Sequence, residues 1–325
     1  MMKDKVAYAM KHKNDIVREK SQSGGAFTAF SDLFLEQGGV VYGCIITEDL
    51  KVVHARAIDY ELRDRMRGSK YVQSDMGNIF QQVKVDLEAD RKVLFSGTPC
   101  QIAGLKSFLG RDYSNLFCVD IICHGVPSPL IYKNFLEFNE KKYGKCSSFN
   151  FRNKKYGWKS CIQTLEFSDR KRYRDSTNFS ILFYSNLVLR PSCYCCPYAK
   201  LEHISDVTIG DCWGIESAEN SFSDDNGVSL VLVHTEQGER VWQAITEDIE
   251  YMNIDINKFL QRSLIQPEKK PTNREMFWSD YKKYPFVKIL NKYADYGMKA
   301  EIKRCIKRLL GKRLTYFISR IREGK

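Results

Sequence analysis

No stretch of this chain approaches 18 consecutive apolar residues, so no membrane-spanning helix is predicted. The opening MMKDKVAYAMKHKNDIVREK is basic but has neither an apolar core nor a small-residue cleavage site, which argues against a secretory signal. The expected address is therefore cytoplasmic, and in that reducing compartment 11 cysteines do not read as a disulfide framework. They are metal ligands, reactive thiols or small core residues. A second C-x-x-C is missing, which speaks against a zinc ribbon. Neither a Walker sequence nor G-x-G-x-x-G occurs, and the chain shows no zinc finger, helix-turn-helix or RNP pattern, so nucleic acid is not an expected partner. Internal repeats and low-complexity linkers are absent as well.

What is present suits a soluble globular protein. The chain has 325 residues, 43% of them hydrophobic and 28% charged, enough for one large α/β domain or two ordinary ones. The formal net charge of +11 is concentrated at the end: 14 Lys or Arg against 3 acids lie between Tyr281 and Lys325. In KAEIKRCIKRLLGKRLTYFISRIR, apolar Ile302, Ile306, Leu309, Leu310, Leu314, Phe317 and Ile318 alternate with cations. That is the pattern of a helix lying on anionic lipid or docked on the protein, which would make the protein peripheral at the inner membrane surface.

Along the chain, SQSGGAFTAFSDLFLEQGG reads as a glycine turn, an amphipathic helix through Phe27, Phe30, Phe34 and Leu35, and a glycine stop, followed by the strand VVYGCII. RKVLFSGTPC and NLFCVDIICHGVPSP are apolar strands ending in turns, with the helical QIAGLKSFLG between them. Alternation of strand and helix predicts an α/β fold with a mostly parallel or mixed sheet under covering helices. Beyond residue 145 the pattern becomes strand-rich. The expected division is an α/β cofactor-binding part over 1–145, a strand-rich part over 146–279 that completes a metal site, and the basic helical tail over 280–325.

Cys193 and Cys196 form a C-x-x-C between Pro191 and Pro197, a spacing that lets two sulfurs face one metal or work as a redox pair. Cys100, Cys123 and Cys212 each follow a predicted strand. In an open parallel sheet such turns line the ligand crevice, so distant cysteines can meet there. Four sulfurs from separate segments suit a cubane cluster. Cys44, Cys118, Cys146 and Cys161 lie in or beside strands and read as core residues, and Cys195 as a thiol turned outward.

SQSGGAF, RGSKYVQSD, VLFSGTPCQIAGL, VDIICHGVPSP, NFRNKKYGWK, LRPSCYCCPYA and SDVTIGDCWGI, in that order, resemble the coenzyme F-420 hydrogenase/dehydrogenase beta-subunit family of flavin and iron–sulfur proteins. The resemblance runs from about Ser21 to Thr235. It implies FAD, one 4Fe-4S cluster on Cys100, Cys123, Cys193 and Cys196, and hydride or electron exchange between a reduced donor, coenzyme F-420 among the candidates, and an organic substrate. Cys195 and Cys212 are additional to the family pattern and stand as alternatives to those ligands. Longer members carry a ferredoxin-like segment ahead of the shared region; none is expected here, which implies electrons from a separate protein or a reduced coenzyme. Short members often accompany polysaccharide biosynthesis enzymes, implying a sugar-linked substrate. The alternative is a non-catalytic electron-transfer or docking subunit.

A flavin needs backbone N–H groups and a cation near its pyrophosphate and donors near its ring. Candidates for the first are Ser23, Gly24, Gly25, Ser69 and Lys70; for the second, Tyr71 and the turn residues Gly97, Thr98 and Gln101. His124, next to an implied ligand, is the candidate proton donor. Arg152, Lys154 and Trp158, with Lys155, form a basic aromatic loop that could grip an anionic substrate or stack on a ring. As a solvated hairpin that loop would need no function.

Overall fold

The computed structural model describes residues 6–168, 172–219 and 221–297. Its strands, in chain order, are β1 (Val6–His12), β2 (Val40–Ile46), β3 (Val52–Ala57), β4 (Val93–Gly97), β5 (Leu116–Ile121), β6 (Cys146–Asn150), β7 (Gln163–Phe167), β8 (Arg172–Ser176), β9 (Val207–Asp211), β10 (Ser229–Val233) and β11 (Ile249–Asn253). Eight of them form one sheet in the order β11-β1-β10-β9-β5-β4-β2-β3, and β6-β7-β8 form a small antiparallel sheet. The four central strands β9, β5, β4 and β2 run parallel, while β3 and the group β10, β1, β11 are antiparallel additions at the two edges. The fold is α/β with a mixed sheet. The large sheet takes strands from both sides of residue 145.

The central strands are near-continuous apolar runs because both their faces are covered. Val41, Leu94 and Phe117 face the helix Ala26–Glu36 and Trp242 in one core. Their neighbours Val40, Tyr42, Val93, Phe95, Leu116 and Cys118 face the opposite way, toward the helices Ile79–Glu88 and Pro99–Leu109. The alternation is the ordinary period of two along a strand. A third core, rich in Phe and Tyr, joins the small sheet to the helices Pro129–Tyr143 and Asn178–Tyr184 and to the helices Arg274–Lys283 and Phe286–Tyr293.

The helix Pro99–Leu109 begins at a local signal. In T-P-C-Q, Thr98 is the N-cap, Pro99 supplies a preset φ at the first position, and Gln101 reaches back to the Thr98 N–H at 2.9 Å. Cys100 is thereby placed in the first turn. The amphipathic segment from 302 to 318 lies outside the described residues.

Candidate functional site

The sulfurs gather at the carboxyl edge of the parallel strands. β4 leads through Thr98 into the helix that carries Cys100, and its parallel neighbour β5 ends two residues before Cys123, with Gly97 opposite Asp120 in register. The third contributor is the short turn Pro191–Cys195. It is tied to the chain leaving β5: Arg190 donates its N–H to the Val126 carbonyl at 3.0 Å, and Ser128 donates to the Val188 carbonyl at 3.2 Å. Gly125 makes this approach possible. At φ +134° a side chain is strained, and a Cβ there would stand 2.9 Å from Leu189 and 3.4 Å from the Cβ of Cys193.

Burial pushes the Cys123 thiol up to about 12, and the thiols of Cys100, Cys193 and Cys196 push it further the same way, against an N–H of Gly125. Cys193 is likewise raised by burial, with Cys100 and Cys196 adding to it. Four thiols from three segments therefore share one electrostatic neighbourhood. Cys195 is exposed, its sulfur against the Ser192 carbonyl at 3.7 Å, and Cys212 is fully buried in an apolar core. Among the described residues no group of three or more His, Cys, Asp or Glu side chains is arranged to hold a metal ion. An all-thiol donor set is the one iron–sulfur clusters take. In a cubane each sulfur binds a different iron, so the ligands need not converge as they must on one ion.

A cavity of about 1030 Å³ opens beside the small sheet, and three of the sequence motifs meet in its wall: Ser21 and Gln22, then Arg65 to Lys70, then Phe149 to Lys155. Its lining holds seven Lys or Arg and three acids. Several of those cations are already engaged, Lys70 and Lys154 by backbone carbonyls. Lys70 gives its ammonium protons to the carbonyls of Arg65, Met66 and Arg67 at 3.0, 2.8 and 2.7 Å. Lys154 binds the carbonyls of Arg18, Ser21 and Ser23, the last two at 3.0 and 3.1 Å. Burial draws both amines down to about 8. They hold the loops that shape the cavity. Arg67 pairs with Asp64 at 2.8 Å and donates to Thr28 at 3.0 Å, and Arg65 gives one N–H to the Ile46 carbonyl at 3.0 Å, so Lys20, Lys155 and the rest of the Arg65 guanidinium face the cavity to meet a phosphate; sequence reasoning missed Arg65 although RDRMRGSK sets it just ahead of the glycine turn.

Several expected residues have other employment. Ser23 donates to the Val228 carbonyl at 2.7 Å, and the Gly24 N–H donates to Ser229 Oγ at 2.9 Å. A Cβ at Gly24 would lie 2.2 Å from the Met10 carbonyl, so this glycine lets the loop close on β1 and β10. Gly25, at φ 98°, starts the helix Ala26–Glu36. None of the three is in the cavity wall, whereas Ser69 and Lys70 are. Trp158 is 3% exposed: it stacks on Trp213 with ring centres 4.9 Å apart and donates to Asp211 at 2.6 Å, so its face is not offered to a substrate. Arg152 donates to the other oxygen of Asp211, also at 2.6 Å, and the guanidinium lies 5.0 Å from the Trp213 ring. The loop, read from sequence either as a grip for an anionic substrate or as a solvated hairpin, is locked onto GDCWG through Arg152 and Trp158.

An aromatic run joins cavity and cysteines. Tyr71, next to Lys70, stacks on Phe183 at 4.6 Å and meets Tyr184 edge-on at 6.2 Å. His124, next to Cys123, is 4.9 Å from Phe183 and 5.6 Å from Tyr184. Its Nε2 donates to Asn186 Oδ1 at 2.7 Å, and its Nδ1 stands 3.5 Å from Glu268. Asn186 in turn donates to Glu268 at 3.0 Å. Neither Asn186 nor Glu268 carries a local sequence signal.

Beneath Cys100, Gln101 donates to Ser74 Oγ at 2.8 Å and Ser74 meets His54 Nδ1 at 2.8 Å, while His54 Nε2 reaches the Ser96 carbonyl at 3.1 Å. Burial lowers His54 to about 4, with Lys70 adding to the effect. Between pH 6.5 and 4 the unfolded chain binds a proton at this histidine that the native state refuses, so stability falls with pH across that window, by on the order of 3 kcal/mol for this group. Denaturant midpoints of the wild type and His54→Gln should converge as pH drops from 6.5 to 4. Parallel curves would remove His54 as their cause.

The family model described as the C terminus of the coenzyme F420 hydrogenase/dehydrogenase beta subunit matches residues 90–257, more than half of the chain. The chain belongs to the F420 hydrogenase/dehydrogenase beta-subunit family. The family region opens just before β4 and closes after β11, so it contains all four grouped cysteines, His124 and the Arg152–Asp211 pair, and leaves out the Arg65–Lys70 loop. Among solved structures, one from the F420-reducing NiFe hydrogenase complex of Methanosarcina barkeri, studied as a xenon derivative, is similar over 96% of this chain and 97% of that one, with a TM-score of 0.52 and 17% identity. At that identity the likeness concerns the fold. No curated protein matches the sequence. Among the described residues of this family member, no helix is long and apolar enough to cross a membrane.

Proposed function

We propose that this beta-subunit relative is a flavin- and 4Fe-4S-dependent oxidoreductase that passes hydride and electrons between a reduced donor and a small organic substrate. The observation that carries the reading is the grouping of Cys100, Cys123, Cys193 and Cys196 at one end of an aromatic run whose other end reaches a cationic cavity of about 1030 Å³. The four thiols would hold the cluster. The cavity's volume and excess of positive charge suit FAD, whose phosphates Lys20, Arg65 and Lys155 would neutralise, with Ser69 adding a hydroxyl. When bound, the two groups let a two-electron hydride exchange be coupled to single-electron transfer.

The chain's own residues supply the rest. Asn186 accepts from Nε2 of His124 and Glu268 faces its Nδ1 across 3.5 Å, which orients the ring; His124 is the group we assign to hand a proton to a reduced substrate, which it would do from its doubly protonated form. Lys70 and Lys154 keep the cavity walls in place. Deazaflavin is the first donor to test, because the similar fold comes from an F420-reducing complex.

That the similar chain sits in a hydrogenase complex also favours a second reading, an electron-transfer subunit that docks on a separate enzyme. Anaerobic purification with iron, sulfide and flavin quantified, followed by addition of reduced coenzyme F420 or NAD(P)H, separates the two. Bleaching of the flavin by the isolated protein and its reoxidation by an organic acceptor support the oxidoreductase. Colour that responds only when a redox partner protein is added supports the second reading. A colourless preparation without iron removes both.

A further inference from the structure

We infer that the Thr98 hydroxyl is the hydrogen-bond donor to the Cys100 sulfur, and that Thr98 is thereby a positioning residue setting the redox potential of the centre held there. The inference rests on the iron–sulfur reading above. Thr98 Oγ1 lies 3.2 Å from Cys100 Sγ and 3.1 Å from Gln101 Oε1. One hydroxyl proton has two acceptors within reach, and the surrounding bonds decide between them.

The relay is directional. The Ser96 carbonyl can only accept, so the His54 proton is on Nε2, and Nδ1 must accept from the Ser74 hydroxyl. With its proton spent, Ser74 can only accept from Gln101 Nε2, which also points at Met76 Sδ at 3.2 Å. The Gln101 amide is thus held with its oxygen toward Thr98. That oxygen already receives the Thr98 N–H at 2.9 Å. Within this relay the Thr98 hydroxyl is the group free to turn.

A protonated Cys100 can donate to Oγ1 and leave the hydroxyl on Gln101. Metal binding removes the thiol proton and leaves a sulfur that only accepts, so the hydroxyl turns to it. A hydrogen bond to a ligating sulfur favours the more electron-rich, reduced centre and raises its potential. The buried network below, running through Gln101, Ser74 and His54, holds the Thr98 backbone at the distance this requires.

The test is a dye-mediated redox titration of the full chain purified without oxygen, followed by low-temperature EPR, with iron and sulfide measured in each sample. Thr98→Val keeps the side-chain shape without the proton and is expected to lower the midpoint potential, and Thr98→Ser to restore it. Gln101→Leu removes the competing acceptor and is expected to shift the potential the opposite way. It also keeps the test alive where Thr98→Val cannot be purified with its iron. Protein that binds no iron in the wild type overturns the iron–sulfur reading. Full iron with Thr98→Val at the wild-type potential overturns this inference alone. So does a shift of the same sign in Thr98→Val and Gln101→Leu, which loosening of the helix start would produce.

Discussion

Cys123→Ser is expected to lose nearly all iron and acid-labile sulfide, and the brown colour with them, in protein prepared without oxygen. Desolvation and the neighbouring thiols of Cys100, Cys193 and Cys196 oppose ionisation of Cys123. Four thiolates in that space repel one another unless a cationic core neutralises them, so the metal and the local fold depend on each other. Serine offers a harder oxygen with a far higher pKa, a poor ligand for the iron of a cluster. Cys100→Ser, Cys193→Ser and Cys196→Ser should behave alike. Cys195→Ser and Cys212→Ser should keep full iron, since one thiol faces solvent and the other is packed among apolar side chains. Full iron in Cys123→Ser, or its loss in Cys195→Ser, would redraw the ligand set.

Arg152→Met is expected to cost about 3–5 kcal/mol of stability, the usual result of removing one partner from a buried ion pair. Arg152 is 4% exposed and binds Asp211, the Ser160 carbonyl at 3.1 Å and the Trp158 carbonyl. Methionine fills much of the space but leaves the carboxylate of Asp211 with the Trp158 N–H as its remaining side-chain donor in this network. The guanidinium donates from three nitrogens at once, so Arg152→Lys should recover only part of the loss. Because Arg152 also lines the cavity, bound flavin should fall in step. Guanidinium midpoints of Arg152→Met, Asp211→Asn and the double variant measure the pairing. The double variant should be distinctly more stable than the sum of the single losses predicts, and simple additivity would mean the two residues do not act together.

How far the sequence could be read differs between the two halves of the site. Local signals pointed to five cysteines: Cys100, Cys123 and Cys212 each follow shortly after an apolar strand, whose turns such a chain delivers to one edge of the sheet, and Cys193 and Cys196 form a C-x-x-C; the family resemblance, not spacing, narrowed these to four. The T-P-C-Q capping signal even places Cys100 in the first helical turn. The cofactor loops were harder. SQSGGAF looks like an anion-binding helix start, yet the backbone of Gly24 is used to close the loop on β1 and β10, and only Ser21 and Gln22 reach the cavity. Lys70 and Lys154 look like phosphate ligands in one dimension. In three, each ammonium lies within reach of three carbonyls, which a flexible amine satisfies as well as a phosphate would.

By itself the sequence determined the alternating strands and helices, the parallel centre of the sheet, and the cysteines that follow β4 and β5, because hydrophobic period and capping chemistry act over a few residues. Only the tertiary structure decided that Trp158 and Arg152 belong to Asp211, that Asn186 and Glu268 flank His124, and that the chain returns through β9, β10 and β11 to complete the first sheet. Those choices depend on which buried donor meets which buried acceptor across 50 or more residues. No local pattern encodes such a pairing, since its energy appears only when both partners have left water together.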